Sequence, residues 1–239
     1  MNYNWNWAVF LQTSPDGVHT YLATLILGTG WTLATALAAW CMALVFGSIV
    51  GVIRTTPHPW LVRLGNGYVE LFRDIPLLVQ MFLWYFVLPE LLPADLGDWL
   101  KQLPNASFYT AVVALGFYTS ARVAEQVRAG IQSVPYGQHE ASVSLGLNRA
   151  RELRLVQLPQ ALRVIIPPLT NQYLNLTKNS SLAVAVGYPD LVSIANTSLN
   201  QTGRAFECIA LIMAVYLTLS LLTAALMNWY NRRAAIRER

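Results

Sequence analysis

The feature that most constrains this chain is a long apolar run, residues 22–53, that contains no Asp, Glu, Lys or Arg. About 20 such residues are enough to cross the hydrocarbon core of a bilayer. Of the 239 residues, 55% are hydrophobic and only 12% are charged, which is about half the charged fraction of a soluble domain. Because so little charge leaves little surface for water, we expect an all-α protein that crosses a membrane several times.

The first apolar run is expected to remain in the protein. A cleaved signal peptide carries basic residues ahead of its apolar stretch. Here the first Lys or Arg is Arg54, which follows the run. We therefore interpret this segment as a retained membrane span.

Five segments of the chain are predicted to cross the membrane. Each contains about 20 mostly apolar residues, the length that a helix needs to span a bilayer. The fourth is the most polar, because it holds Pro167, Pro168, Asn171, Asn175 and Lys178. The five spans are predicted within Leu22–Ile53, Tyr68–Leu92, Phe108–Gly130, Val164–Val186 and Phe206–Tyr230.

The basic residues predict the orientation of these spans, since short loops rich in Lys and Arg stay in the cytoplasm. Residues 1–20 contain neither Lys nor Arg, whereas Arg54 and Arg63 lie in the loop after the first span. The loop after the third span and the C-terminal tail are rich in arginine. We therefore expect the N-terminus outside and the C-terminus in the cytoplasm.

These patterns divide the chain into three parts. Residues 1–20 are an extracytoplasmic segment, 21–231 a transmembrane domain and 232–239 a basic cytoplasmic tail. Within the transmembrane domain, residues 131–163 form a cytoplasmic region. The net charge of +4 then reflects arginines that face the cytoplasm and anionic lipid headgroups. We therefore expect this chain to contact membrane lipids and not nucleic acid.

The sequence indicates neither a metal site nor catalytic residues. Cys41 and Cys208 both lie in apolar runs, and His19, His58 and His139 are far apart. No disulfide framework or metal-ligand spacing is present. An integral membrane enzyme would need a cluster of His or Asp near one interface, so the sequence disfavours that class.

The stretch Glu140–Pro159 reads as two short helices joined by a tight turn. Glu140 and Ala141 are predicted to open the first helix, where a carboxylate favours the positive end of the helix dipole. Gly146 supplies the positive φ that a sharp turn at a helix end requires. Leu158–Pro159 is predicted to end the second helix. Such a helix–turn–helix is suited to docking into a groove on a partner.

This stretch resembles the coupling loop of permease subunits in binding-protein-dependent ABC importers. The match includes Val156 and tolerates Ser142, where the family usually has a second alanine. The resemblance implies a type I importer permease fold, and it implies that the loop carries the coupling to an ATPase. The residues that we assign to this coupling are Glu140, Ala141, Gly146, Leu147, Leu158 and Pro159.

The resemblance extends over residues 20–231 and indicates the polar amino acid branch of the family. Residues 70–89, 125–135 and 158–163 are similar to that branch. Within it, residues 121–126 and 178–181 are most similar to glutamate/aspartate permease subunits. The resemblance therefore implies an inner-membrane, multi-pass subunit that imports a polar amino acid, with glutamate or aspartate as the first choice and a neutral or basic amino acid such as glutamine, histidine or arginine as the alternative.

The resemblance also implies the partners of this chain. They are a second permease subunit, usually a different homologous chain, two ATP-binding subunits and a periplasmic or lipid-anchored amino acid-binding protein. A Walker A loop needs G-x-x-x-x-G-K-[ST], and the two lysines, Lys101 and Lys178, do not follow a glycine. We therefore expect no cofactor in this chain, with ATP and Mg²⁺ bound by the partner ATPase.

Charged residues inside predicted spans are the candidates for the substrate pathway, since they are costly there and usually face a cavity or a partner. Arg122 and Glu125 share a face of the third span, and an amino acid requires groups of both signs. Two alternatives stay open: Arg122 and Glu125 neutralise each other, or the asparagines bind neighbouring helices. The candidates are Ala121, Arg122, Glu125, Asn171, Asn175 and Lys178.

A channel or ion-coupled carrier is the remaining alternative function, since it also places charges in its spans. Such a carrier is expected to show paired internal repeats with broken helices, and none is evident in the sequence. A carrier also provides no reason for a cytoplasmic docking loop. The sequence therefore favours the importer permease, a transport subunit and not an enzyme.

Overall fold

The computed structural model describes residues 3–234, and the side chains of all of these except His139, Arg149 and residues 230–234. Within this range the only bridge between extended residues joins Thr13 and Thr20, so the predicted all-α class is confirmed. The predicted basic tail lies outside the described residues, except that residues 232–234 continue the last helix. In chain order the α-helices are α1 Tyr21–Ile53, α2 Pro59–Asp74, α3 Leu77–Phe82, α4 Leu88–Leu91, α5 Ala94–Gln102, α6 Ala106–Gln132, α7 Tyr136–Ser144, α8 Arg149–Glu152, α9 Leu158–Asn179, α10 Leu191–Thr202 and α11 Ala205–Ala234.

Several of these helices are joined by other helical turns. A 3₁₀ helix, Trp7–Leu11, precedes α1, and another, Ser180–Val186, follows α9. Two π-helical segments, Leu83–Val87 and Leu153–Gln157, connect α3 to α4 and α8 to α9. Three of the connections between the α-helices thus contain a helical segment of another kind.

Among the described residues, two helices, α1 and residues 205–229 of α11, are long and apolar enough to cross a membrane. Residues 59–74 and 77–91 form a pair bent by 100°, which is either a broken span or a re-entrant loop. The stretch predicted to contain the second span, Tyr68–Leu92, is not a single straight helix, because the helix breaks after Asp74. Pro76 lacks an N–H and forces the residue before it into extended backbone, and Ile75 has φ −84° and ψ 125°. The count of five spans and the orientation of the termini remain predictions.

The chain divides into two compact units. The first unit contains residues 1–39, 77–115 and 176–222. Its core is a cluster in which α1, α10 and α11 meet. Thr32 of α1 accepts a hydrogen bond from the backbone N–H of Leu191 at 3.1 Å, and Thr35 donates one to the Tyr188 hydroxyl at 2.7 Å. The buried members of the cluster are Val9, Phe10, Tyr21, Leu25, Leu191, Ala195 and Cys208.

Asp190 fixes the start of α10 in the same unit. Its Oδ1 accepts the backbone N–H of Ser193 at 2.8 Å, the bond of a helix N-cap. Asp190 is fully buried, and Gly28 of α1 lies against its backbone so closely that a Cβ on Gly28 would approach the Asp190 carbonyl oxygen to 3.3 Å. Burial raises the pKa of the Asp190 carboxyl to about 6.

The segment before α1 is held to the start of α11. The hydroxyl of Tyr3 donates a hydrogen bond to the buried carboxylate of Glu207, and the backbone N–H of Asn6 donates to the same carboxylate at 2.9 Å. Arg204 in turn donates to the carbonyl of Asn4 at 2.8 Å. These contacts order the residues that precede the first long helix.

The second unit contains residues 40–76, 116–175 and 223–239. In it the second half of α1 crosses α6 at two glycines. A Cβ on Gly47 would lie 2.6 Å from Val123 and 2.7 Å from the Ser120 carbonyl oxygen, and a Cβ on Gly51 would lie 2.7 Å from Val127. Gly47 and Gly51 are four residues apart and let two backbones approach closely.

We expect Gly47→Ala to destabilise the protein by about 1–3 kcal/mol, because the added methyl group meets the backbone of α6 and overpacks the contact. Thermal unfolding of the purified protein in detergent measures the change. Gly30→Ala is the matched control on the same helix, since a Cβ at Gly30 meets no atom within 4 Å. Equal unfolding temperatures for the two variants would show that the close contact contributes nothing to stability.

Candidate functional site

A polar cavity of about 520 Å³ lies within the second unit. Three helices supply its walls. Arg73 and Asp74 are the last residues of α2, and Gln172 comes from α9. The α6 residues of the wall are spaced i, i+3, i+4 and i+7, so they lie on one face of that helix. The cavity is lined by Arg73, Asp74, Arg122, Glu125, Gln126, Ala129 and Gln172.

Glu125 is paired with two arginines. Its Oε1 atom lies 2.8 Å from Nη2 of Arg54 and 3.7 Å from Nη1 of Arg73. The Arg54 side chain is only 5% exposed, so removal of Glu125 would leave a charge with little access to water. Nε of Arg54 also donates to Asn66 at 2.8 Å. Glu125 therefore holds Arg54 in place, and its charge is balanced before any substrate enters.

Arg54 has room beside α2 because Gly65 has no side chain. A Cβ on Gly65 would lie 2.6 Å from Cγ of Arg54. The guanidinium thus passes α2 and reaches Glu125 on α6. The glycine therefore contributes to the ion pair although it carries no polar group.

Arg122 is held by Tyr118, one turn earlier on α6. Its guanidinium carbon lies 3.7 Å from the centroid of the Tyr118 ring. One nitrogen donates to the Tyr118 hydroxyl at 2.7 Å and another to the Tyr118 carbonyl at 3.1 Å. The partners of Glu125 are thus Arg54 and Arg73, and the contacts give no support to the alternative in which Arg122 and Glu125 neutralise each other.

The balance of charge around this cavity is positive. Arg73, Arg122, Asp74 and Glu125 line it, and the charge of Glu125 is balanced by Arg54, which is buried outside the lining. One positive charge is left over. A cavity with mixed signs and a surplus of guanidinium groups is suited to a zwitterion that carries one more carboxylate.

Of the residues predicted for the substrate pathway, the structure brings only Arg122 and Glu125 to the cavity. Ala121 does not line it, because it is fully buried in an apolar contact with Val69 and Ala124. The stripe of α9 formed by Asn171, Asn175 and Lys178 is exposed. These residues do not line the cavity either.

The α9 residue that reaches the cavity is Gln172, which the sequence reasoning missed. It directly follows Asn171, and a shift of one residue turns a side chain by about 100° around a helix. Arg54 was also missed as a site residue. The sequence does contain a signal for Arg54, because this residue is the first charge after a long apolar run, and a charge that is buried requires a partner.

The predicted turn at Gly146 is confirmed. Gly146 has φ +72°, and its N–H donates to the carbonyl of Val143 at 2.9 Å. The N–H of Leu147 donates to the carbonyl of Ser142 at 3.1 Å. This pair of bonds is the Schellman motif, which ends a helix with a left-handed residue.

The prediction that Glu140 and Ala141 open the first helix of the loop is wrong, because α7 begins at Tyr136, directly after Pro135. A proline is well placed ahead of a helix, since its missing N–H is not needed there. Glu140 is therefore the fifth residue of α7. It lies beyond the first turn, where the helix dipole has most effect.

Leu158 and Pro159 do not end the second helix of the loop. The short helix α8 passes through the π-helical segment Leu153–Gln157 directly into α9, which begins at Leu158. Pro159 cannot donate a hydrogen bond and would clash with the carbonyl of the preceding turn in an ordinary helix. The wider π turn accommodates it. Gln157 donates to the buried Glu152 carboxylate at 2.6 Å and thus links the two ends of this turn.

The loop presents an apolar surface. Leu145 is 79% exposed and Tyr136 72%, and Val143 is exposed with them. Glu140, Ala141, Gly146 and Pro159 are exposed as well, whereas Leu147 and Leu158 are half-buried. Exposed apolar side chains on a short helix are typical of a surface that docks against another protein.

Comparisons with known proteins agree with this arrangement. Residues 43–236 match the family of the binding-protein-dependent transport system inner membrane component. The chain is 41% identical to the glutamate/aspartate import permease protein GltJ of Escherichia coli (strain K12), over 99% of this chain and 97% of that protein. It is 38% identical to the probable glutamine ABC transporter permease protein GlnM of Bacillus subtilis (strain 168), over 84% of this chain and 89% of that one.

A solved structure has the same fold. A chain in the crystal structure of an amino acid ABC transporter with histidines superimposes with a TM-score of 0.78. The two are 32% identical, and the match covers 89% of this chain and 95% of that one. The resemblance that the loop residues indicated is thus confirmed along the chain. This protein therefore belongs to the inner membrane components of binding-protein-dependent transport systems, and it is a transport component, not itself an enzyme.

Proposed function

We propose that this chain forms part of the translocation pathway of an importer for an acidic amino acid, glutamate or aspartate. The observation that carries the proposal is the surplus of guanidinium groups around the polar cavity. The identity over nearly the full length with a glutamate/aspartate permease supports it. ATP is hydrolysed on separate subunits in this proposal, and the present chain opens and closes the path.

The cavity offers a distinct role to each charge. Arg122 and Arg73 face it as donors for the two carboxylates of the substrate. Asp74 is the acceptor for the ammonium group, in place of Glu125, because Glu125 is already balanced by two arginines. The side chains of Gln126 and Gln172 supply neutral hydrogen bonds.

A neutral or basic amino acid is the second candidate substrate. Asp74 and Glu125 give the cavity two carboxylates, and one related structure is of a transporter with histidines. A basic side chain would, however, meet the two arginines that line the same cavity, Arg73 and Arg122. The acidic substrate therefore fits the charges better. An ion-coupled carrier or channel has no observation in its favour.

The proposed topology has five spans, with the N-terminus outside and the C-terminus in the cytoplasm. The distribution of basic residues supports this orientation. The proposed partners are a second permease subunit, usually a different homologous chain, two ATP-binding subunits that hold ATP and Mg²⁺, and a periplasmic or lipid-anchored amino acid-binding protein. Membership of the family supports these partners.

The α7–α8 loop is the proposed point of coupling to the ATP-binding subunits. Its exposed apolar residues Tyr136, Val143 and Leu145 suit a groove on such a subunit. The π turn continues into α9, so a movement of the loop is transmitted to that helix without an intervening flexible linker. ATP-driven closure of the partner ATPases would then move the loop, and with it α9, between inward- and outward-open states.

We expect Arg122→Gln to reduce uptake of labelled glutamate by about tenfold or more in cells that express the complete transporter. The reason is that a hydrogen bond to a charged group contributes about 1.5–3 kcal/mol. Arg122→Lys should retain part of the activity, because it keeps the charge but not the planar guanidinium. The amount of chain in the membrane is measured in parallel.

The matched control is Arg63→Gln, which removes an exposed arginine that lies over Trp60, outside the cavity. Glutamate uptake should be unchanged in this variant. Competition with unlabelled amino acids separates the two candidate substrates in the unmodified protein. If glutamine or arginine competes and neither glutamate nor aspartate does, the acidic substrate is excluded.

We expect Gly146→Ala to reduce uptake severalfold while the chain remains in the membrane. A side chain at φ +72° costs about 1–2 kcal/mol, and this strain shifts the turn on which the docking surface depends. Copurification of the ATP-binding subunit should fall together with uptake. Gly137→Ala in α7 is the control, since its Cβ meets no atom within 4 Å and its backbone is ordinary helix. Full uptake and full copurification with Gly146→Ala would disprove the role of the turn.

A further inference from the structure

A second cavity, of about 430 Å³, lies within the first unit and takes no part in the polar site. It is formed by the stretch that runs from the π-helical segment Leu83–Val87 to the first turns of α6. Its wall is mostly aromatic and aliphatic and includes Trp84, Leu100, Tyr109 and Val113. The charged residues that line it, Glu90 and Lys101, already form an ion pair, and the rest of the wall would remove the hydration of an amino acid without replacing it. We therefore do not propose a second site for the substrate here.

The cavity depends on a close packing of α5 against α4. Gly97 of α5 lies so near the Pro89 carbonyl oxygen that a Cβ on Gly97 would approach it to 2.2 Å. This contact turns α5 back along α4. The cavity is therefore a built feature of the fold and not a gap between loosely packed helices.

The surface around the cavity is typical of a membrane interface. Phe86, Leu91, Leu96 and Trp99 are exposed there. Of these, Leu96 and Trp99 belong to α5, which also carries acidic residues and Lys101, as an amphipathic helix at a membrane surface does. Tryptophan and tyrosine are enriched at the level of the lipid headgroups.

Charged side chains stand at the rim of this apolar cavity. The Nζ atom of Lys101 lies 2.7 Å from Oε1 of Glu90 and 3.8 Å from Oδ1 of Asp98. Glu90 and Lys101 also line the cavity itself. The rim thus has one cation and two carboxylates, and its net charge is negative.

We propose that this cavity holds an acyl chain of a phospholipid with a zwitterionic ethanolamine headgroup. The acyl chain fills the apolar wall, the phosphate binds Lys101, and the ammonium group binds Glu90 and Asp98. An anionic lipid such as phosphatidylglycerol supplies the phosphate but no cation for the second carboxylate. The rim therefore selects phosphatidylethanolamine over phosphatidylglycerol.

The test uses the complete purified transporter in nanodiscs that contain phosphatidylethanolamine with a photoreactive diazirine in one acyl chain. After illumination, mass spectrometry maps the labelled peptides. We expect labelling of residues 84–113 above that of the exposed face of α11. Phosphatidylglycerol with the same acyl chain should label this stretch several times less.

Two substitutions sharpen the test. Ala106 lines the cavity, so Ala106→Trp should fill it and reduce the labelling at least fivefold. Ala94→Trp is the matched control, because Ala94 is exposed on α5 and does not line the cavity. Lys101→Glu should remove the preference for the ethanolamine lipid, whereas Lys101→Arg should keep it.

Three results would overturn the proposal. The first is equal labelling by the two lipids in the unmodified protein. This result does not depend on whether any variant folds. The second is labelling that Ala106→Trp leaves unchanged. The third is a crosslink from residues 84–113 to another subunit in place of the lipid, since a protein would then fill the cavity. None of these results bears on glutamate uptake, so the proposed function is tested separately.

Discussion

A guanidinium group that leaves water must meet a carboxylate, and the Arg54–Glu125 pair shows how this requirement shapes the second unit. Arg54 follows α1, Gly65 of α2 leaves space for its side chain, and Glu125 projects from α6 to meet it. Arg73, at the end of α2, reaches the same carboxylate. A single acid thus connects three helices, and the polar cavity lies beside this connection. Because Glu125 is balanced by the buried Arg54, the charges left for a ligand are those of Arg73, Arg122 and Asp74.

Much of the helical framework could be predicted from the sequence, because it follows from local composition. The third predicted span, Phe108–Gly130, falls within α6 and differs from it by two residues at each end. The glycine turn at Gly146 could also be predicted, since few other residues adopt a positive φ readily. The break before Pro76 cannot be recognised from hydropathy, because the residues on its two sides together have the hydropathy of a continuous span. The break comes instead from the constraint that a proline places on the backbone.

The site itself could be predicted only in part, because its pairs join residues that are distant in sequence. Helical spacing placed Arg122 and Glu125 on one face, and both line the cavity. Spacing alone does not reveal that Glu125 pairs with Arg54, 71 positions earlier in the numbering. It also does not distinguish the exposed Asn171 from its neighbour Gln172, which faces the cavity. The orientation of a helix depends on its neighbours, and that information is not contained in its own periodicity.

The contact between Tyr3 and Glu207 has a consequence for the order in which the protein is assembled. The two residues are separated by 204 positions, so all of the residues between them are synthesised before the acceptor of this hydrogen bond exists. Contacts of such long separation form late in folding, because a large loop must close first. The segment before α1 therefore acquires its partner on α11 only after that helix has been synthesised. Until then, its tyrosine and tryptophans are available to chaperones or to the membrane surface.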